Sequence, residues 1–212
     1  MPLFNKWNIG PHAAAAIWQA DEPESFFSGH TGITSDIKNE KRRVEHLAGR
    51  FLLQYLVPGF PLHEIQKDRH DKPRTNNNGY FFSISHSWPY IAAVISTHSE
   101  VGIDIQTWNP RIPSIQHKFL SPDEQLLFKN EISLITAAWT AKEAAYKWNG
   151  RRNVDFIEDM PITTFIQNAH VNNIHILSKL SEKPALIYVD NIINACFSCS
   201  YVIPNETQHN QK

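Results

Sequence analysis

The chain has 212 residues, of which 42% are hydrophobic and 19% charged, a balance typical of a folded globular protein and unlike that of a disordered one. Lys and Arg number 20 and Asp and Glu 21, for a formal net charge of −1, so no overall field favours nucleic acid or an anionic membrane as a partner. The sequence shows no apolar run near the roughly 20 residues that span a bilayer and no secretion signal at its start, and a cytoplasmic protein is expected.

The first strongly predicted element after the N-terminal apolar runs is a helix from about Ser35 to Leu56. Thr34 or Ser35 would cap it, a Pro-Gly pair follows it, and apolar residues recur at helical spacing along it. Arg43 and Arg50 lie seven residues apart, within about 20° of each other along one edge of the apolar stripe. They would form either an anion-binding ridge or an ordinary solvated face.

The middle and end of the chain combine strand patterns with a second helix. The segments FFSISHS, PYIAAVIS and VGIDIQ read as strands, with THSE as the turn between the last two. A helix is predicted from about Glu131 to Trp148, followed by a strand meander. The fold class is α+β, with predicted domains at 1–100 and 101–205 and a polar tail at 206–212.

Asp104 is the first candidate for chemistry. Side chains alternate along a strand, so Asp104 shares one face of VGIDIQ with Gly102 and Gln106, while apolar residues occupy the other face. A carboxylate beside a glycine would leave room for a ligand or a metal ion. The alternative is an aspartate on the wet face of an edge strand.

The second predicted helix carries charged residues within and beside the apolar arc of its helical wheel. Lys142 falls in the middle of that arc, where a charge costs several kcal/mol unless it is paired or reaches water. An acidic ligand would pair with it; the alternative is a snorkelling side chain. Glu143 and Lys147 lie one turn apart at the edge of the arc and are expected to pair with each other.

Ser85 and His86 are neighbours in the segment SISHS. Adjacent residues on a strand point to opposite faces, so they cannot easily form the serine–histidine pair of a hydrolase. We expect them to donate hydrogen bonds to a bound phosphate or nucleotide.

Taken in order, the segments DKP, SISHS, VGIDIQ, FLSPDE and WTAKEAAYK resemble the motif series of the 4'-phosphopantetheinyl transferases of the surfactin-synthetase-activating type. The resemblance covers about residues 40–150. It implies a monomer of two similar α+β halves related by a pseudo-twofold axis, with coenzyme A in the cleft between them. It also implies transfer of the 4'-phosphopantetheine group to a serine of an apo acyl or peptidyl carrier protein, with Mg²⁺ as cofactor and release of adenosine 3',5'-bisphosphate.

The resemblance also implies roles for residues that match the family motifs. Asp104 and Glu143 match the magnesium-binding carboxylates, and Gln106 stands where many members carry a third acid, so a weaker neutral ligand is expected there. Residues expected at the nucleotide and phosphates are Arg50, Lys72, Ser85, His86 and Lys142, together with Arg43 of the same helix. Glu143, oriented by Lys147, is the first candidate base, and Glu124 acting through a water is the second.

A carrier protein would need a docking surface of mixed apolar and basic character. The segment 109–120 offers one through Ile112, Ile115, His117, Lys118 and Phe119. Competing hypotheses are an enzyme dedicated to one biosynthetic pathway and a coenzyme A or nucleotide-binding module without turnover, which the change to Gln106 makes conceivable.

Overall fold

The structure is a computed structural model that describes residues 3–76 and 79–202; the predicted polar tail at 206–212 lies outside these residues. The chain divides into two compact units, Met1–Val101 and Gly102–Lys212. Both units combine helices with antiparallel strands, so the predicted α+β class is confirmed. That the two units are independent domains stays a prediction.

The first unit is built on a four-stranded antiparallel sheet in the order β1-β2-β6-β5 and carries a separate two-stranded ribbon. The sheet strands are β1 (Leu3–Ile9), β2 (Ala13–Gln19), β5 (Phe81–Ser87) and β6 (Tyr90–Ser96). The ribbon is β3 (Ile65–Lys67) and β4 (Pro73–Thr75), preceded by a 3₁₀ turn at Leu62–Glu64, and the helices are α1 (Glu24–Thr31) and α2 (Glu40–Leu56).

Helix α2 packs its apolar stripe on this sheet and buries Leu47, Leu52 and Leu53 completely. A methyl group added at Gly49 would lie 2.8 Å from Ile84 Cγ2, so this glycine lets the helix approach β5 closely. The predicted end of the helix is confirmed, but the predicted start at Ser35 is wrong. The Asn39 side chain accepts the N–H of Arg42 at 3.0 Å and caps the helix one turn further along the chain.

The second unit is built on a five-stranded antiparallel sheet in the order β7-β11-β10-β9-β8. The strands are β7 (Ile103–Thr107), β8 (Ile162–Ile166), β9 (Asn172–Ser178), β10 (Ala185–Ile193) and β11 (Phe197–Val202). The helices are α3 (Arg111–Ile115), α4 (Pro122–Leu127) and α5 (Ile132–Asn149), with a 3₁₀ turn at Gln116–Lys118. Over residues 3–76 and 79–202, the structure contains no helix with the length and hydropathy needed to cross a membrane.

THSE follows β6 as a predicted turn, but the strands on either side of it do not pair in one sheet. Strand β6 belongs to the sheet of the first unit and β7 to the sheet of the second, so the segment between them connects two units. The alternating pattern identified both strands correctly, but it does not say which strand pairs with which, and consecutive strands only usually pair.

Helix α5 lies directly on the start of β7. A methyl group added at Gly102 would lie 2.0 Å from the Ala144 carbonyl oxygen and 2.7 Å from the Trp148 amide nitrogen. The expectation that the space beside Gly102 admits a ligand or an ion is therefore wrong, because the backbone of α5 fills it. The contact brings the last turns of α5 against the face of β7 that carries Asp104.

Gly102→Ala is expected to destabilise the protein by about 3 kcal/mol or more, because the clash is with backbone atoms that no rotamer change can move. Urea unfolding measures the loss. Gly29→Ala is the control, since it lies within α1 with open space around it and should be neutral or stabilising by up to about 1 kcal/mol. Equal stability of Gly102→Ala and the unchanged protein would contradict the close contact.

Candidate functional site

Asp104 is held by a lysine of the neighbouring helix. Lys147 Nζ lies 2.6 Å from Asp104 Oδ1 and 3.3 Å from the Ile103 carbonyl oxygen, and Asp104 is only 6% exposed. The predicted surface pair between Glu143 and Lys147 is therefore wrong, because Lys147 reaches across to β7. Asp104 faces the helix, as expected for a residue two positions after Gly102.

Glu143 adds a second carboxylate near Asp104 and Lys147. We call Asp104, Glu143 and Lys147 the corner. Burial, reinforced by the negative charge of Asp104 and opposed by Lys147, raises the pKa of Glu143 to about 7 from its ordinary 4.5. With Glu143 ionised, the corner would hold two carboxylates against one ammonium group. Such an arrangement favours binding of a proton or a cation, and a carboxylate with a pKa near 7 is suited to act as a base at neutral pH.

The corner offers the ligand types that Mg²⁺ prefers. Mg²⁺ usually takes one or two carboxylates and completes its shell with phosphate oxygens and waters, so Asp104 and Glu143 fit it. Gln106 lies on the same face of β7, and its Nε2 donates to the Thr107 carbonyl at 3.0 Å. Within the described parts of the chain no cluster of three or more His, Cys, Asp or Glu side chains could hold a metal, so any ion here would depend on these two carboxylates.

Lys142 is completely buried, and its partner is a carboxylate of the protein. Its Nζ lies 2.6 Å from Glu124 Oε1 and donates to the Phe156 carbonyl at 2.7 Å, and both side chains are at most 4% exposed. The anion that its position on α5 requires is thus Glu124. Burial still lowers the pKa of Lys142, although Glu124 opposes this effect.

The Glu124 carboxylate joins three elements. Oε2 accepts the Ser121 N–H at 2.7 Å as part of a capping box on α4, and Oε1 accepts the Ile162 N–H of β8 at 2.7 Å in addition to Lys142 of α5. Both oxygens are therefore engaged in holding the fold. A contact of Lys142 with the coenzyme and a role of Glu124 as a base stay predictions, and this geometry gives both residues a structural role.

The first unit contains a cavity of about 430 Å³ between α2 and β5. Four of its polar lining residues come from α2 and one from β5, and the other five lining residues are apolar. The polar residues are Arg42, Glu45, His46, Arg50 and His86, and the apolar ones are Ile37, Ile65, Pro73, Phe82 and Ile84. Two guanidinium groups together with apolar side chains suit an anionic ligand that carries a flat ring system.

Helix spacing explains the basic side of the cavity. Arg42, His46 and Arg50 follow one another at intervals of four residues and so lie on one face of α2. Burial, with the nearby Arg50 charge, lowers the pKa of His46 to about 4, so His46 is neutral at physiological pH. The Glu45 carboxylate lies 3.3 Å from His86 Nδ1.

The structure brings only part of the predicted nucleotide set to this cavity. Arg50 and His86 line it, whereas Arg43, Lys72 and Ser85 are not among its lining residues. Ser85 lies on the opposite face of β5 from the alternating residues that line the cavity. Arg42 and His46 were not predicted as site residues, although their spacing from Arg50 is visible in the sequence.

Arg43 and Lys72 have carboxylate partners in the first unit. Arg43 lies 2.8 Å from Glu24 of α1 and donates to the Ile37 carbonyl at 2.8 Å. Lys72 is 8% exposed and lies 2.6 Å from Glu100. Contacts of these two cations with a coenzyme stay predictions.

The predicted carrier-docking segment at 109–120 is wrong in its apolar part. Ile112 and Phe119 are 5% and 1% exposed and belong to the core of the second unit, so they cannot contact a partner directly. His117 and Lys118 are exposed. Ile112 and Phe119 are therefore core residues rather than surface residues.

Removing either charge of the buried Lys142–Glu124 pair is expected to lower the free energy of unfolding by about 3 to 5 kcal/mol, because the other charge is left buried and uncompensated. Lys142→Met and Glu124→Gln should each show this loss in urea unfolding. The double variant should lose clearly less than the sum of the two single losses, since the cost arises from the unpaired charge. Additive losses would show that the pair does not interact.

Glu143→Gln is expected to change how stability depends on pH. Because the pKa of Glu143 is raised to about 7 in the folded state, its stabilising contribution is present below about pH 4.5 and is lost as the pH rises through 7. At pH 8 the variant should be more stable than the unchanged protein by about 3 kcal/mol, and at pH 4 the two should differ by under about 1 kcal/mol. Urea unfolding at both pH values, with the exposed Glu182→Gln as control, tests this; an equal difference at both pH values contradicts it.

Comparison with known proteins finds similarity to one family. Residues 100–198 match the family model described as the 4'-phosphopantetheinyl transferase superfamily. The chain is 30% identical over 133 residues to 4'-phosphopantetheinyl transferase AcpT of Escherichia coli O157:H7, which is 56% of this chain and 64% of the relative. It is 32% identical over 117 residues to 4'-phosphopantetheinyl transferase AcpT of Salmonella typhi, which is 51% of this chain and 60% of the relative. The chain thus spans less than two thirds of the length of these curated relatives. The similarity to the 4'-phosphopantetheinyl transferase superfamily thus lies in residues 100–198.

Proposed function

We propose that the chain transfers the 4'-phosphopantetheine group of coenzyme A to a serine of an apo acyl or peptidyl carrier protein and releases adenosine 3',5'-bisphosphate. The observation that carries this proposal is the corner of Asp104, Lys147 and Glu143, which lies within the residues that match the superfamily. The relatives named above are 4'-phosphopantetheinyl transferases. The surfactin-synthetase-activating subtype, the pseudo-twofold arrangement with its cleft, the monomeric state and the cytoplasmic location stay predictions.

The cavity of the first unit supports the coenzyme part of the proposal. Its apolar lining residues would hold the adenine ring, and the guanidinium groups of Arg42 and Arg50 would pair with phosphate oxygens in bidentate fashion. His86 would contribute a further hydrogen bond. His46, neutral at physiological pH, can donate or accept a hydrogen bond without adding charge.

The chemical step needs a base for the carrier serine. In the proposed reaction the serine oxygen attacks the β-phosphorus of coenzyme A, and the bond from that phosphorus to the bridging oxygen breaks toward the leaving adenosine 3',5'-bisphosphate. Glu143 takes the serine proton, since the pKa of Glu143 near 7 suits this transfer. Lys147 holds Asp104 in place and offsets part of the negative charge of the corner.

Asp104 and Glu143 would hold Mg²⁺, with Gln106 as a neutral neighbour. Bound there, Mg²⁺ supplies charge neutralisation at the pyrophosphate oxygens. A carboxylate that binds a cation is a weaker base, so the two roles proposed for Glu143 compete. The pH at which the rate reaches half its maximum distinguishes them, because the cation would shift that pH downward.

The decisive experiment incubates the purified chain with apo acyl and peptidyl carrier proteins, coenzyme A and Mg²⁺, and weighs the carriers by mass spectrometry. At least one carrier should gain the mass of a phosphopantetheine group. Glu143→Gln should lower kcat by about 10²- to 10⁴-fold, as expected for loss of a general base. If no carrier gains mass while coenzyme A binding is intact, the chain is a binding module without turnover.

Arg50→Met is expected to raise the KM for coenzyme A by about tenfold or more with little change in kcat, because it removes a charge-assisted phosphate contact remote from the reacting atoms. Steady-state kinetics with a responsive carrier measure this. Arg69→Met is the matched control, since Arg69 is exposed and outside the cavity lining. A KM that is unchanged in both variants would place the coenzyme elsewhere.

A further inference from the structure

A row of polar side chains crosses the second sheet beneath helix α5. In the strand registers, Asp104 of β7 faces Ser200 of β11, Ser200 faces Asn191 of β10, and Asn191 faces Asn172 of β9. These four residues are between 0% and 6% exposed. The row therefore begins at the carboxylate of the candidate site and runs into the core of the unit.

The members of the row are hydrogen-bonded to one another and to the helix. Asn172 Nδ2 donates to Asn191 Oδ1 at 3.2 Å, and Asn191 Nδ2 donates to the Ser200 and Ser198 hydroxyls at 2.9 and 2.8 Å. The Thr140 hydroxyl of α5 lies 2.7 Å from Ser200 Oγ and 3.1 Å from Ser198 Oγ. We call Thr140, Asn191, Ser198 and Ser200 the Thr140 cluster.

Helix α5 is held by several kinds of buried contact. Leu134 and Ile135 lie in the core of the unit, and Lys142 ties the helix to Glu124 of α4. Ala137, Ala141 and Ala144 are fully buried but present only methyl groups, which form no directional contacts. Hydrogen bonds are directional and weaken steeply when they are displaced. Leaving one of these buried hydroxyls unpaired would cost about 1 to 3 kcal/mol, so the Thr140 cluster opposes sliding.

The position of α5 along its axis decides the geometry of the candidate site. Thr140 precedes Glu143 by three residues and Lys147 by seven, and each residue of a helix advances it by about 1.5 Å. Sliding α5 by a fraction of a turn would break the 2.6 Å contact between Lys147 and Asp104. It would also move the Glu143 carboxylate relative to Asp104.

We propose that Thr140, acting through Ser198, Ser200 and Asn191, is a positioning residue that sets the axial position of α5 and thereby the spacing of Asp104, Glu143 and Lys147. Its effect on catalysis rests on the proposed function, whereas its effect on the corner itself does not. Thr140 touches neither substrate nor reacting atoms in this proposal.

The test compares Thr140→Val with Thr136→Val. Valine keeps the shape of threonine and removes the hydroxyl. Thr136 is a matched control because it is fully buried on the same helix. Its hydroxyl donates to the Ile132 carbonyl of its own helix at 2.6 Å, just as the Thr140 hydroxyl donates to the Ala137 carbonyl at 3.1 Å. Thr140→Ser restores the hydroxyl and should restore the properties of the unchanged protein.

Crystal structures of the variants give the first readout. In Thr140→Val the distance from Lys147 Nζ to Asp104 Oδ1 should increase by at least about 0.5 Å, the tolerance typical of a functional site; in Thr136→Val it should not change. Binding of Mn²⁺, followed by electron paramagnetic resonance, is the second readout. Its Kd should rise about tenfold or more in Thr140→Val and by less than twofold in the control.

If Thr140→Val does not fold, Ser200→Ala removes the partner hydroxyl and takes its place in both measurements. An unchanged Lys147–Asp104 distance, or equal changes in Thr140→Val and Thr136→Val, overturns the proposal and leaves Thr140 with a merely structural role. Neither readout needs turnover. Absence of phosphopantetheine transfer by the unchanged protein would therefore refute the proposed function alone, and the crystal structures would still decide the role of Thr140.

Discussion

The contact between the backbone of α5 and Gly102 is the constraint on which the candidate site depends. A residue with a side chain at this position would push the helix away from β7, since the nearest atoms are main-chain atoms that cannot turn aside. With glycine there, Lys147 is close enough to bind Asp104 directly, and Glu143 is close enough to be influenced by the same charge. The charge interactions among Asp104, Glu143 and Lys147 thus depend on residue 102 having no side chain.

Charge pairing distinguishes two kinds of buried carboxylate in this chain. Lys72 pairs with Glu100, and Lys142 pairs with Glu124, and in both pairs the protein satisfies its own buried cation. The corner at Asp104 differs because Lys147 pairs with Asp104, while burial and the charge of Asp104 raise the pKa of the nearby Glu143. A group with such a raised pKa binds a proton or a cation readily, which is the property that a catalytic site needs.

Much of this arrangement could be predicted from the sequence, and the errors have identifiable physical causes. Helical and strand periodicity located α2, α5 and β7, because periodicity reports burial directly. It could not show that THSE connects two sheets, since the partner of a strand is decided by long-range packing. Nor could it show that the anion beside Lys142 would be Glu124, because a helical wheel identifies a buried charge without identifying its partner. Arg42 and His46 were missed for a different reason: their spacing on α2 is visible, but only the cavity shows which helix face matters.

The Glu124 carboxylate has a consequence for how sequence motifs are weighed. The segments FLSPDE and WTAKEAAYK look like two separate signs of the family, yet Glu124 of the first and Lys142 of the second form one buried pair. A chain that kept this fold would keep or lose the two together, since either residue alone would leave an unpaired buried charge. The two segments are therefore not independent signs, because one buried ion pair requires both residues.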